Sequence, residues 1–194
     1  MQRQGTAGVP QGRLRFPRLM GWVLHLGGYP GVGKLTVARA LAARTGARLL
    51  DNQTLLNPAS ALFDRGDAAH ARLRRTVRDA VFAAAGEMGS ETRLILTDAL
   101  SEEQEALFAD VAALAARLGV PLHAGILEVG RAEHAIRVAA AERKGLRKLT
   151  DAAIALHLRE TVALLVPQGA RRFDGEGRSP DTVAGEIAGA FDLG

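Results

Sequence analysis

Three glycines and one lysine form the feature that most restricts the fold of this 194-residue chain. They belong to the segment Gly28-Tyr29-Pro30-Gly31-Val32-Gly33-Lys34-Leu35-Thr36, which follows an apolar, strand-like run at 21–28 and overlaps a helical pattern over 34–44. Glycines at 28, 31 and 33 allow backbone conformations that a side chain would forbid, so successive N–H groups can turn toward one concave point. The helix adds its positive dipole end, and Lys34 adds an ammonium group. The segment predicts a phosphate-binding loop, which we prefer to a glycine-rich turn that only joins a strand to a helix.

The rest of the chain alternates between strand and helix patterns. Apolar runs predict further strands at 47–51, 93–98, 121–128 and 170–174. Helical periodicity predicts helices at 69–88, 101–118, 131–141, 151–165 and 180–191, with a capping box at Ser101 and Gln104 and a stop at Gly119. Such alternation is typical of an α/β fold in which helices cover both faces of a parallel sheet.

Composition and charge exclude several classes of protein. The composition, with 47% hydrophobic and 24% charged residues, is typical of globular proteins. No apolar run reaches the roughly 20 residues that are needed to cross a bilayer. The absence of cysteine excludes disulfides and thiolate metal sites and permits a reducing compartment, so we expect a cytoplasmic protein. The net charge of +4 equals the four arginines of residues 1–19, which leaves a neutral body and argues against a nucleic-acid partner. We interpret 1–19 as a flexible tail, with a weak polyanion-binding arm as the alternative.

The loop departs from the most common phosphate-binding pattern, because Leu35 follows the lysine and the hydroxyl comes one position later, at Thr36. In this it resembles the GxPGxGKxT loop of adenylate kinase, shikimate kinase and other P-loop small-molecule kinases, and it is similar to AAA-type, ATP-binding, kinase-like proteins. The resemblance covers most of the chain from residue 20 onward. It implies a three-layer P-loop NTPase fold with five parallel strands in the order 2-3-1-4-5, and ATP with Mg²⁺ at the carboxyl ends of the strands.

The absence of three sequence motifs argues against several classes of nucleotide-hydrolysing protein. The chain has no Asn-Lys-x-Asp for guanine recognition and no Leu-Ser-Gly-Gly, and Asp98 is followed by Ala99 where motor ATPases carry a glutamate that orients water. A site without that glutamate is better suited to excluding water than to delivering it, which favours phosphoryl transfer to a bound acceptor.

Acids at strand ends are the candidates for catalysis and for metal binding. Asp51 ends the second strand and is our candidate base; its place resembles that of an aspartate in shikimate kinase and chloramphenicol phosphotransferase. Asp98 ends the third strand and is our candidate for magnesium, directly or through water, while direct ligation by Thr36 is left open. Either aspartate could instead terminate a strand or cap a helix.

Basic residues after the fourth strand resemble the lid of these kinases. Segment 142–150 carries cations around Gly145, and we expect Arg143, with Arg137 on the preceding helix, to act on the phosphates. A solvated helix end is the alternative reading of the same residues.

Residues 52–78 correspond to the acceptor-binding insert of these kinases. Asn52 and Gln53 could hydrogen-bond an acceptor or form a turn. Arg72, Arg74, Arg75 and Arg78 lie off the apolar stripe of their helix, which predicts a solvated face.

We therefore expect an ATP-dependent kinase domain over 20–194, acting on a small hydroxyl-bearing or phosphorylated acceptor. Two alternatives stay open. One is an ATP-binding regulatory module without turnover, which Leu35 favours; the other is a 5′-hydroxyl polynucleotide kinase, which would need a basic channel.

Overall fold

A computed structural model of the protein describes residues 20–139 and 151–194. Its centre is a five-stranded parallel sheet in the order β2-β3-β1-β4-β5, which confirms the predicted fold class and strand order. The strands are β1 (Trp22–Gly27), β2 (Arg48–Asp51), β3 (Arg93–Thr97), β4 (Leu122–Glu128) and β5 (Arg171–Asp174). All six residues of β1 are buried, because this strand is central and helices cover both of its faces.

Helices form the two outer layers of the described structure. They are α1 (Lys34–Thr45), α2 (Asn52–Leu62), α3 (Ala68–Ala85), α4 (Glu105–Leu118), α5 (Arg131–Ala139), α6 (Ala152–Thr161) and α7 (Pro180–Phe191). One face of the sheet packs against α1 and α7, around Leu24, Leu41 and Ile187. The opposite face packs against α2, α3 and α4, around Val23, Phe82 and Leu114. None of the helices in the described ranges is long and apolar enough to cross a membrane.

Several predicted helix boundaries follow from capping and are confirmed. Ser101 and Gln104 form the predicted capping box, which opens a short 3₁₀ turn that leads into α4. Gly119 ends α4 in the left-handed conformation, with φ 68°. Ser179 caps α7, and its hydroxyl accepts from the backbone N–H of Thr182.

The sequence interpretation missed α2 and extended α6 too far. Asp51 starts α2, because its carboxylate accepts hydrogen bonds from the backbone N–H groups of Gln53 and Thr54, and the helix tolerates Pro58. Helix α6 ends at Thr161 rather than 165, because the following chain pairs with another segment: Leu165 N–H donates to Leu100 O, and Glu102 N–H donates to Ala163 O.

The predicted solvated face of α3 is wrong at Arg78. Arg78 is only 5% exposed, and its guanidinium donates to the Leu107 carbonyl and to Asp110 of α4 and lies 4.3 Å from the centre of the Phe82 ring. Arg72 and Arg75 are exposed as predicted, whereas Arg74 is partly buried. Arginine can enter such a position because its long stem packs against apolar groups while its head finds acceptors.

Candidate active site

The loop between β1 and α1 has the backbone that its glycines predict. Gly28 has φ 145° and Gly31 has φ 102°, which side chains rarely adopt. A Cβ at Gly31 would lie 2.4 Å from Val138 Cγ2, and one at Gly28 would lie 2.5 Å from the Leu127 carbonyl oxygen. Both positions therefore require glycine for conformation and for space.

Lys34 is the first residue of α1, and its ammonium group lies over the loop. Nζ donates to the carbonyl oxygens of Gly28 at 2.6 Å and Tyr29 at 2.9 Å. These contacts hold the positive charge at the N-terminal end of α1, where the helix dipole also favours an anion.

Two side chains of α5 donate hydrogen bonds to backbone carbonyl groups of the loop. His134 is fully buried, and its Nε2–H donates to the Pro30 carbonyl at 2.7 Å. Arg137 donates to the Val32 carbonyl at 2.8 Å and to the Gly175 carbonyl at 2.7 Å, and it is paired with Glu133. The guanidinium of Arg137 thus connects the loop to the segment after β5, and its predicted action on phosphates stays a prediction.

His134 is the loop contact that the sequence interpretation did not single out. The sequence spacing could have indicated this contact. His134, Arg137 and Val138 stand at i, i+3 and i+4, so they share one face of α5. That face also carries the buried Val138, which packs beneath Gly31.

Asp51 and Asp98 lie at the carboxyl ends of the neighbouring strands β2 and β3. Asp51 is paired in register with Thr97, the residue before Asp98. The Asp51 Oδ1 accepts from Gln53 N–H at 2.8 Å and from Thr54 N–H at 3.3 Å, while Oδ2 accepts from the Thr54 hydroxyl at 3.1 Å. Asp51 is therefore a helix cap whose carboxylate still lines the cleft described below.

Asp98 is 7% exposed and has a partner in the core. Its Oδ1 lies 2.8 Å from Nε2 of the buried His25, and the carboxylate accepts the imidazole proton in this bond. The His25 ring packs edge-on against Phe108, with 5.1 Å between ring centres. This packing fixes the imidazole, and the imidazole in turn fixes one oxygen of Asp98.

One cleft of about 810 Å³ joins most of these groups. It is lined by the predicted site residues Pro30, Gly31, Gly33, Lys34, Leu35, Thr36, Asp51, Asp98 and Arg137. On one side it reaches Asn52, Gln53, Leu56 and Arg65, and on the other it reaches Ile154, Leu158, Gly175, Arg178, Pro180 and Val183. Val32 is instead buried in the core, and the Tyr29 hydroxyl donates to the Val162 carbonyl at 3.0 Å.

Two predicted features lie outside the described residues. They are the tail 1–19 and the lid 142–150 with Arg143.

Electrostatics distinguish Arg74 of α3, which is not among the residues that line the cleft. Burial lowers the pKa of Arg74, and the positive charges of Arg78 and Arg65 lower it further, whereas Asp98 raises it. The charges of Asp98 and Arg65 are thus near enough to shift the pKa of Arg74.

A family model described as an AAA domain matches residues 23–163, a range that includes the loop, both aspartates and α5. The chain belongs to this AAA domain family. Among curated proteins, none matches this AAA domain significantly.

Solved structures share the fold of this AAA domain. A protein from Chloroflexus aurantiacus j-10-fl matches with a TM-score of 0.65 at 15% identity, covering 91% of this chain and 98% of that one. The Mycobacterium tuberculosis APS kinase in complex with AMPPNP and APS matches with a TM-score of 0.54 at 19% identity, covering 90% of this chain and 97% of that one. Shikimate kinase from Bacteroides thetaiotaomicron gives 0.53 at 16% identity, covering 89% and 99%. The resemblance to P-loop small-molecule kinases is confirmed at the level of the fold.

Proposed function

We propose that this AAA domain transfers the γ-phosphoryl group of ATP to a hydroxyl of a small acceptor. The observation that carries the proposal is that one cleft joins the phosphate-binding loop with Asp51 and Asp98. A nucleotide bound at the loop would share one space with the candidate base at the carboxyl edge of the sheet, where open α/β folds bind ligands.

The loop is suited to a triphosphate. Its glycine conformations would let backbone N–H groups donate to phosphate oxygens, and Lys34 lies at the start of α1, where anions are stabilised. We expect the Lys34 ammonium to exchange its two carbonyl partners for phosphate oxygens when ATP binds. The solved APS kinase holds AMPPNP, which supports an adenine nucleotide for this cleft.

Asp51 would accept the proton of the acceptor hydroxyl. The acceptor oxygen then forms a bond to the γ-phosphorus as the bond from that phosphorus to the bridging oxygen of ADP breaks. The carboxylate already caps α2, which holds it in position, and Asn52 and Gln53 beside it would contact the acceptor. Residues 52–78 would form the acceptor side of the cleft.

Magnesium fits the donor set at the other aspartate. Carboxylate and hydroxyl oxygens are the ligands that Mg²⁺ prefers, and the cleft offers Asp98 and Thr36. Bound there, directly or through water, Mg²⁺ would neutralise charge on the phosphate oxygens. The role of His25 is to hold Oδ1 of Asp98, which leaves Oδ2 for the metal.

The test is ATP-dependent labelling of a metabolite library. We expect label from γ-³²P ATP to appear in at least one small acceptor, with little release as inorganic phosphate, and to disappear in Lys34→Ala. The control Arg72→Gln alters an exposed arginine of α3 and should leave labelling intact. ATP binding with no labelled acceptor would contradict phosphoryl transfer and favour the regulatory module, for which Leu35 after the lysine is the supporting feature.

A further inference from the structure

The first turns of α2 bring an apolar side chain to the cleft together with two amides. Asn52, Gln53 and Leu56 all line the cleft, and Asp51 comes directly before them in the chain. At about 100° per residue, Leu56 lies between Asn52 and Gln53 around the helix axis, one turn farther along. A leucine therefore lies among the side chains that would contact the acceptor.

Leu56 differs from its neighbour Leu55, which belongs to the apolar core. Leu55 is a member of the core cluster that includes Phe82 and Leu114. Leu56 is only 9% exposed, but it belongs to neither of the two core clusters that the described residues form. Helix α2 thus places one leucine in the core and the next at the wall of the cleft.

Further apolar side chains of the cleft come from the elements that carry the proposed reacting groups. Leu35 directly follows Lys34 and is partly buried, and Ala99 directly follows Asp98. The start of α1, the end of β3 and the start of α2 thus each bring a polar group and an apolar group to the same cleft. The carbon atoms of Leu35, Leu56 and Ala99 offer no hydrogen bond to a ligand.

An apolar wall in the cleft discriminates between classes of alcohol. A hydroxyl placed against the wall loses its water partners and gains no protein partner, which costs binding free energy. A methylene group buried there instead raises the affinity by about fourfold. A molecule with a hydroxyl on every carbon is thus poorly suited to this wall.

We propose that the acceptor is an amphipathic alcohol, whose apolar body packs against Leu35 and Leu56 while its hydroxyl faces Asp51. A hydrogen-bonding group of the same molecule meets the amides of Asn52 and Gln53. This inference rests on the proposed function and narrows it to alcohols with a hydrocarbon or aromatic body, so a fully hydroxylated polyol is a poor substitute. The apolar contact supplies affinity, and the hydrogen bonds orient the reacting hydroxyl.

The test uses the full chain saturated with AMPPNP and magnesium, so that the phosphate-binding loop is filled. N-(2-hydroxyethyl) amides with acyl chains of two, four and six carbons are titrated by calorimetry, because they carry a hydroxyl, an amide and an apolar chain of graded length. We expect the Kd to fall by about fourfold per added methylene, and glycerol to bind more weakly than the six-carbon amide. With ATP in place of AMPPNP, the six-carbon amide should be phosphorylated with a higher kcat/KM than glycerol.

Matched leucine variants of α2 identify the contact. Leu56→Ala should raise the Kd of the six-carbon amide by about tenfold or more and should flatten its dependence on chain length, because the chain loses its apolar partner. Leu62→Ala makes the same change at the last residue of α2, which is 70% exposed, and should leave both quantities unchanged. Leu56→Met keeps an apolar side chain of similar volume and should stay within about threefold of the wild type. All three variants should bind AMPPNP as the wild type does.

Each contrary result has a distinct meaning. Failure of the wild type to bind AMPPNP would refute the proposed function and this inference with it. AMPPNP binding with a Kd for the amides that does not depend on chain length, or a dependence that Leu56→Ala retains, would refute the apolar contact alone. A higher kcat/KM for glycerol than for the six-carbon amide would also refute the inference, but it would support phosphoryl transfer. The comparison of amides with glycerol uses the wild type, so it decides the inference even if Leu56→Ala does not fold.

Discussion

Asp51→Asn separates the helix cap that the structure shows from the base that we propose, both of which depend on one carboxylate. In the wild type, Oδ1 accepts two backbone N–H bonds that start α2, and Oδ2 accepts the Thr54 hydroxyl. Asparagine keeps an oxygen for the backbone bonds and is itself a good helix cap, but its amide accepts no proton from an acceptor. The substitution therefore removes the base and keeps the cap.

The magnitudes of the two effects differ enough to be resolved. Loss of a general base costs about 10²–10⁴ in rate, which is about 3–5 kcal/mol of transition-state stabilisation. Loss of the negative charge at the start of α2 costs about 0.3–1 kcal/mol of folding stability, or up to about 4 °C in melting temperature. Asp51→Ala loses the cap as well, at about 1–2 kcal/mol, and should melt lower than Asp51→Asn.

The assay pairs single-turnover phosphoryl transfer with thermal unfolding and ATP binding for both variants. We expect equal, severe loss of rate in Asn and Ala, a graded loss of stability, and ATP affinity close to wild type. An Asp51→Asn variant that transfers within about threefold of the wild type would show that Asp51 only caps α2.

Two buried histidines give the remaining predictions. His134→Ala should lower the free energy of unfolding by about 2–4 kcal/mol, because the Pro30 carbonyl loses its donor and a cavity opens under the loop. It should also raise the KM for ATP. An unchanged free energy of unfolding in denaturant would show that His134 does not stabilise the loop. His25→Leu should raise the magnesium concentration needed for half-maximal rate, because Asp98 loses the bond that fixes Oδ1, and His25→Gln, which keeps a donor, should be affected less. A magnesium titration that is identical in all three proteins would separate His25 from the metal site.

Sequence reasoning predicts the elements whose periodicity and turn residues agree. The strands follow from apolar runs and the loop from glycines that have no substitute at 28 and 31, whereas the strand order follows only from the resemblance to P-loop kinases. Helix α2 was not predicted because its polar start and Pro58 look like a turn, although a helix cap was one of the alternatives for Asp51.

Long-range pairing explains most of what the sequence could not predict. Arg78 is buried because Asp110 and the Leu107 carbonyl meet it from α4, and periodicity within α3 carries no information about that helix. His25 and Asp98 are 73 positions apart and touch only because β1 and β3 are neighbours in the sheet. The bracing of the loop by His134 likewise depends on where α5 packs, more than 100 residues after Pro30.

We propose that the loop holds the phosphates of ATP with the help of Lys34. Isothermal titration calorimetry of the full chain with magnesium and AMPPNP, for the wild type and Lys34→Ala, tests it most directly. We expect saturable binding at a single site in the wild type, and a Kd raised by about tenfold or more in Lys34→Ala, since a charge-assisted bond to phosphate is lost. No saturable heat in the wild type, or the same Kd in both proteins, would contradict it.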